Sequence, residues 1–378
     1  MLALQIGAGN IGRGFVGQIL NKAGYRLWFA DVNEPLIDEL KHHRSYHVRL
    51  ADENGQSMSV NGVKAIHSIL EEEKLLQLIE EADLITTAVG PAVLPHIAPA
   101  IAKGLLHRIN SGKTKPVHII ACENMVGGTD ALKQHVSKHL SSADFISLDE
   151  IAGFANAAVD RIVPDQAAGS GLDVTVEPFF EWVVETKNWI GTAPAIKDIT
   201  FVEELEPFIE RKLFTVNTGH AALAYHGFVH GCATTKEAFE HTAVQKKYVQ
   251  TLQETGLLLQ EKYGFSSSEM ETYHHKINSR FQNPYLADPV TRVGRGPIRK
   301  LGPKDRLVKP SLELLERGRV PEALAETIAA LLQFRSASDE EAAELQEYIH
   351  KHSAAEAFCK YSSLKEDHEL TSLVKKYV

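Results

Sequence analysis

The sequence predicts an α/β unit built on a doubly wound parallel sheet, followed by a mostly α-helical unit. Three observations predict this. From residue 1 to about 150, short apolar runs alternate with stretches of helical period, the pattern of strand–helix–strand crossovers. The first run ends in Gly7-Ala8-Gly9-Asn10-Ile11-Gly12, a GxGxxG that marks a Rossmann-type turn when a strand precedes it and a helix follows. After about residue 185, strand-like runs become scarce and long helical periods take over. The expected units are 1–185 and 186–378, joined through the irregular stretch 164–173.

The elements follow in order. Residues 2–6 (LALQI) are an apolar run before glycines. Residues 15–23 have helical spacing and stop at Gly24. Residues 26–30 (RLWFA) read as a strand ending at Asp31, and 35–42 as an amphipathic helix. Residues 45–63 alternate around Asn54-Gly55, a hairpin signal. A charged-faced helix at 70–81 precedes two apolar strands, 84–88 and 117–121, each followed by polar turn residues. Residues 174–176 and 182–184 are expected to extend the same sheet. The helical half is expected at 202–226, 236–263, 321–333, 339–351 and 364–377.

Composition narrows the function. The 378 residues are 44% hydrophobic and 24% charged, with a formal charge of −9. Such a chain buries real cores and is a poor ligand for nucleic acid or membrane surfaces. The three cysteines, Cys122, Cys232 and Cys359, are far apart, which excludes a disulfide framework and fits a reducing cytoplasm. The chain opens with no basic head, so no secretory signal is expected. No run approaches the length of a transmembrane helix. The sequence leaves open whether the chain is a monomer or a homodimer.

In the glycine loop, the first glycine permits the tight turn, the second admits a pyrophosphate and the third allows close helix–strand packing. Gly7, Ala8, Gly9, Asn10, Ile11 and Gly12 are therefore the expected diphosphate cradle, with the helix N-terminus supplying N–H donors. Asp31 lies 19 residues after Gly12. An acid near that spacing accepts from a ribose 2′-OH and repels a 2′-phosphate, which predicts NAD over NADP. Thr87, Ala88 and Val89 follow the 84–88 strand. They read as an ordinary turn or as the lining of a cofactor ribose. Glu123 and Asn124 follow the next strand and put a carboxylate and a carboxamide at the same edge.

The helix at 202–226 carries Lys212, Asn217 and His220. At α-helical spacing Asn217 lies about 140° round from Lys212 and His220 about 80°, one broad arc among Leu213, Phe214 and Val216. A lysine in apolar surroundings loses solvation, and its pKa falls from about 10.4 towards neutrality. Such a lysine can act as general base on an alcohol, with a carboxamide holding the developing alkoxide. Spacing alone favours the plainer reading, a solvated lysine and a capping asparagine.

The segments taken together resemble the polyol-specific long-chain dehydrogenases/reductases. The resemblance rests on GAGNIGRGF at 7–15, TTAVGP at 86–91, ACEN at 121–124, VDRIVP at 159–164, RKLFTVNTGH at 211–220 and RFQNPYL at 280–286. It runs over nearly the whole chain. The resemblance implies reversible, metal-independent, NAD-dependent oxidation of a phosphorylated polyol to the matching ketose phosphate. Lys212 matches the family's catalytic base. Asn217 and Asn124 match oxyanion-stabilising carboxamides, and His220 a residue that binds substrate hydroxyls. Asp160 matches a substrate-binding carboxylate, and Glu123 is a candidate proton shuttle. A hexuronate reductase of the same family and a non-catalytic NAD-binding sensor are the alternatives.

Residues 291–310 hold seven basic side chains against one acid, Asp305. A solvated basic loop would look the same, but a local charge of +6 inside an acidic chain favours an anion site. Arg295, Arg299 and Lys300 flank a Gly-Pro turn and are the expected phosphate ligands, with Arg161 a further candidate.

Overall fold

Six parallel strands form the main sheet, in the order Lys64–His67, Arg26–Asp31, Leu2–Ile6, Leu84–Thr87, Val117–Ala121 and Ala152–Phe154. Numbered along the chain, that order is 3-2-1-4-5-6, which reverses direction beside the first strand and opens a ligand crevice at the strands' carboxyl ends. The register puts Ile6 opposite Ala30 on one side and opposite Thr87 on the other. The computed structural model describes residues 1–164, 166, 169–286 and 288–378. Asp165, Ala167 and Ala168, within the stretch expected to join the two units, lie outside the described residues.

Both faces of the sheet are covered, so every residue of Leu2–Ile6 is buried. Leu2, Leu4 and Ile6 share a cluster with Leu75, Ile79, Ile101 and Leu105. Ala3 joins the opposite cluster with Phe15, Ile19 and Phe29. Full burial of each large aliphatic contributes about 1.5–3 kcal/mol. Leu4→Ala would cost about 2–5 kcal/mol, because the packed faces cannot close over the void.

Two predicted strands lie elsewhere than expected. Val174–Val176 pairs with Ser45–Leu50, not with the main sheet. Ser45–Leu50 in turn pairs antiparallel with Ser57–Asn61, and Asp52 Oδ1 closes that hairpin by accepting Asn54 N–H at 3.0 Å and Gly55 N–H at 2.8 Å. Glu181–Glu185 pairs antiparallel with Ala157–Asp160 and parallel with Thr200–Val202, making a third, three-stranded sheet. The chain divides into the units Met1–Phe208 and Ile209–Val378, so Thr200–Val202 falls within the first.

The second unit is helical around a core that includes Phe214, Tyr225, Leu258, Leu324, Ile328 and Phe358. The predicted 236–263 helix is two, Thr235–Glu240 and Thr242–Tyr263, because His241 adopts extended backbone. The last predicted helix shortens to Glu369–Val374, preceded by Ala354–Ser362. Among the described residues no helix is long and apolar enough to cross a membrane.

Candidate functional site

In the sheet unit, the glycine loop, Asp31, the 87–90 turn and the 122–124 turn all follow carboxyl ends of neighbouring parallel strands. Gly7 has φ +97°, and a Cβ built there would lie 2.4 Å from the Ala88 carbonyl oxygen. A Cβ on Gly12 would lie 2.0 Å from the Gly7 oxygen. Both positions therefore require glycine, one for the turn and one for the helix's approach. Gly9 has nothing within 4 Å of its Cβ position, which leaves room for a diphosphate over the loop. A helix then opens at Asn10, with its first N–H groups unclaimed by the helical ladder. The residues fit a dinucleotide.

Asp31 Oδ2 accepts Ala8 N–H at 2.6 Å, and Oδ1 accepts Asn33 N–H at 3.0 Å. Val32, Ile69 and Leu70 stand exposed beside it, at the ends of the paired strands Arg26–Asp31 and Lys64–His67. Three apolar side chains left in solvent beside this acid are suited to the face of a flat, apolar ring such as adenine. Sequence reasoning missed them, because a sequence does not show which aliphatics after a strand end stay exposed.

Glu123 is buried at the end of the Val117–Ala121 strand. Its carboxylate accepts the Thr87 hydroxyl and the N–H groups of Val89 and Gly90. Asn124 beside it is exposed. Asp160 ends the Ala157–Asp160 strand and is buried. Arg161 is buried against the Phe15 and Phe180 rings, its guanidinium 5.9 and 5.2 Å from their centroids. Its guanidinium donates to the Glu177 carbonyl at 3.0 Å and the Gly14 carbonyl at 3.1 Å. These bonds brace the back of the glycine-loop helix, whose Gly12–Gly17 segment is π-helical.

In the helical unit, Lys212–Asn217 is also a π-helical turn, set between the α-helices Glu206–Arg211 and Thr218–Val229. Its signature is the i→i+5 bond from Thr218 N–H to the Leu213 carbonyl. An i→i+5 turn brings residues five apart towards one side. Lys212 and Asn217 are thus closer in angle than α-helical spacing predicted. Both are half-buried. The His220 ring stacks on Phe281 with centroids 4.9 Å apart. Burial, with the charges of Arg280, Lys300, Arg306 and Arg292, pushes its imidazole down to about 3.

The basic segment divides into separate tasks. Lys300 is buried, and its ammonium donates to the Val293 carbonyl at 2.6 Å and the Arg295 carbonyl at 2.7 Å. Burial, with Arg306 and Arg299 adjoining, lowers it to about 7. Arg295 Nε donates to the Arg292 carbonyl at 3.3 Å. The Arg299 side chain is 59% exposed and 3.6 Å from Asp305. Lys309 pairs with the buried Glu210 at 2.6 Å. The Arg306 backbone is held at the Lys212–Asn217 turn, because Thr218 Oγ1 donates to its carbonyl oxygen at 2.7 Å, and its Nε donates to Asp305 Oδ1 at 2.8 Å. Arg280 is buried. Arg280 and Arg306 were not singled out from the sequence. The first stood outside the basic cluster, and the second had nothing to distinguish it within the cluster.

Residues 1–198 match the family model for the mannitol dehydrogenase Rossmann domain, and residues 204–376 match that for the mannitol dehydrogenase C-terminal domain. The chain belongs to the mannitol dehydrogenase family. Within that family it is 48% identical over 376 residues to a mannitol-1-phosphate 5-dehydrogenase of Geobacillus stearothermophilus, covering 99% of this chain and 98% of the relative. It is 49% identical over 376 residues to that of Shouchella clausii, covering all of both chains. Two solved mannitol dehydrogenase-like folds align over nearly the whole chain. A substrate-free D-sorbitol dehydrogenase has TM-score 0.84 at 18% identity, covering 99% of this chain and 91% of that one. Pseudomonas fluorescens mannitol 2-dehydrogenase, in a ternary complex with NAD and D-mannitol, has TM-score 0.76 at 17% identity, covering 100% and 91%.

Proposed function

We propose that this chain catalyses the reversible, NAD-dependent oxidation of D-mannitol 1-phosphate at C5 to D-fructose 6-phosphate. The observation that carries the reading is the group of cations around His220: Arg280, Lys300, Arg306 and Arg292. Even with Arg292 paired to Asp288 and Arg306 to Asp305, the positive charge next to a turn bearing Lys212 and Asn217 favours a polyol that is also an anion. The names of the relatives at 48–49% identity agree.

Gly7–Gly12, Asp31, Thr87, Ala88 and Val89 would hold NAD, which supplies the two-electron acceptor when bound. Lys212 takes the proton of the C5 hydroxyl and returns it in the reverse direction. Asn217 and Asn124 donate to the developing alkoxide, each worth a few kcal/mol of barrier. His220, neutral at working pH, exchanges hydrogen bonds with substrate hydroxyls without adding charge. Asp160 accepts from another hydroxyl. For the phosphate we assign Arg280 and Arg306 first, because both bear on His220, whereas Lys300 is committed to two backbone carbonyls and Arg292 to Asp288; Arg295, Arg299 and Lys300 are assigned after them. Arg161 supports the site from behind the glycine loop. The three cysteines are free thiols, which suits the cytoplasm.

The decisive assay follows NADH absorbance with fructose 6-phosphate, unphosphorylated fructose and fructuronate. Turnover with the phosphate ester alone is expected. Preference for fructuronate would make the chain a hexuronate reductase, and no turnover of any sugar would leave a sensor.

A further inference from the structure

Three donors converge on one carboxylate at the ligand edge of the sheet. Glu123 Oε1 accepts the Thr87 hydroxyl at 2.8 Å and Val89 N–H at 3.0 Å. Oε2 accepts Gly90 N–H at 2.8 Å. The residue is only 5% exposed, and a carboxylate is tolerated there because donors meet its lone pairs. All three donors belong to a single turn. The backbone ladder reaches that turn and stops: Cys122 N–H donates to the Thr87 carbonyl, and Ala88 N–H donates to the Ile6 carbonyl, each at 2.9 Å. Beyond Ala88 the tie is continued by Glu123. The same turn presses on the glycine loop, where the Ala88 carbonyl leaves no space for a Cβ on Gly7.

We propose that Glu123 is a positioning residue: it fixes the 87–90 turn against the glycine loop, so that the cofactor's ribose side of the site is formed before the dinucleotide arrives. The inference rests on the NAD reading above. It gives Glu123 a task other than proton transfer, since both oxygens are already committed to fixed donors. It also explains why an acid is needed. A glutamine has one accepting oxygen, so its NH₂ would face either Gly90 N–H or the Thr87–Val89 pair.

The test titrates intact wild-type protein, E123Q and T87V with NADH, reading cofactor fluorescence, and records the pH profile of kcat for each. E123Q is expected to raise the NADH Kd roughly tenfold or more, because hydrogen bonds to a charged acceptor are lost. T87V removes one of three bonds and should raise it roughly two- to tenfold. The shape of the pH profile should not change in either. An E123Q protein that binds NADH as wild type does, while its pH profile loses an ionisation, would overturn the proposal in favour of a proton shuttle. If E123Q does not fold, an unchanged Kd in T87V overturns it equally. Wild-type protein that bound no NADH would overturn the NAD reading itself, and this inference with it.

Discussion

The Asp31 carboxylate accepts the backbone N–H of Ala8 at 2.6 Å, so the acid that ends the second sheet strand also fixes the first turn of the glycine loop. Arg13 donates to the Ala8 carbonyl from the other side. One residue of the cradle is thus held through both of its peptide groups. Asp31→Asn keeps one accepting oxygen but removes the charge that repels a 2′-phosphate. The ratio of kcat/KM for NAD over that for NADP is expected to fall roughly tenfold or more, a shift of about 1.4 kcal/mol. Steady-state kinetics with both cofactors measures it. An unchanged ratio would mean that selection lies elsewhere.

Lys212→Ala should lower kcat by about 10²–10⁴-fold, the usual worth of a positioned acid–base group. NADH should still bind, because the cradle belongs to residues of the sheet unit. A fluorescence titration and a turnover assay on the same preparation separate the two. Near-normal turnover in the variant would remove Lys212 from the mechanism.

The strands 2–6 and 117–121 were legible in the sequence because burial on both sheet faces writes largely apolar runs, and 26–30 was legible from its apolar LWFA stretch before Asp31. The Asn54-Gly55 hairpin was legible from turn chemistry. The partners of Val174–Val176 and Glu181–Glu185 were not, since a strand's residues state that it pairs and not with which sheet. The π-helical turn at Lys212–Asn217 was hidden too. Hydrophobic periodicity does not distinguish an i→i+5 turn from the α-helices that flank it. Arg280 lies outside the basic segment, and folding brings its charge, like that of Arg306, to bear on His220. No local pattern announces such a meeting.

That meeting predicts a division among the arginines. Arg306→Ala and Arg280→Ala should each raise KM for the phosphate ester roughly tenfold or more, as expected when a charge-assisted hydrogen bond is lost. Arg299→Ala, whose side chain is 59% exposed, should change KM by no more than about twofold. Michaelis constants for fructose 6-phosphate decide this. An Arg299 effect as large as that of Arg306 would move the phosphate towards the Gly-Pro turn.

Three histidines, the most strongly lowered of four that burial depresses, make the folded state sensitive to acid, and the fourth, His274, acts in the same direction. Burial, opposed by the bond to the Ile190 carbonyl and aided by Arg108, lowers His118 to about 4. Burial, with Lys247 and His230, lowers His226 to about 4, and His220 falls to about 3. Unfolded, each titrates near 6.5. Between about pH 6.5 and 4 the unfolded chain therefore binds protons that the folded chain refuses, and stability falls with pH. By pH 5 each site removes up to about 2 kcal/mol. Glu254 works in the opposite direction. Burial, opposed by bonds from Ala323 and Leu324 N–H and aided by Glu322 and Glu326, raises it to about 7. From about pH 4.5 to 7 the folded chain holds a proton that the unfolded chain has released, so this group loses stability as pH rises. Four sites against one leave a net loss on acidification. Thermal unfolding is expected to show Tm falling from pH 7 to pH 5. His226→Gln keeps a partner for the Thr327 hydroxyl, which lies 3.1 Å from His226 Nε2, and should flatten that slope. A variant as acid-sensitive as wild type would mean that His226 is protonated in the folded chain.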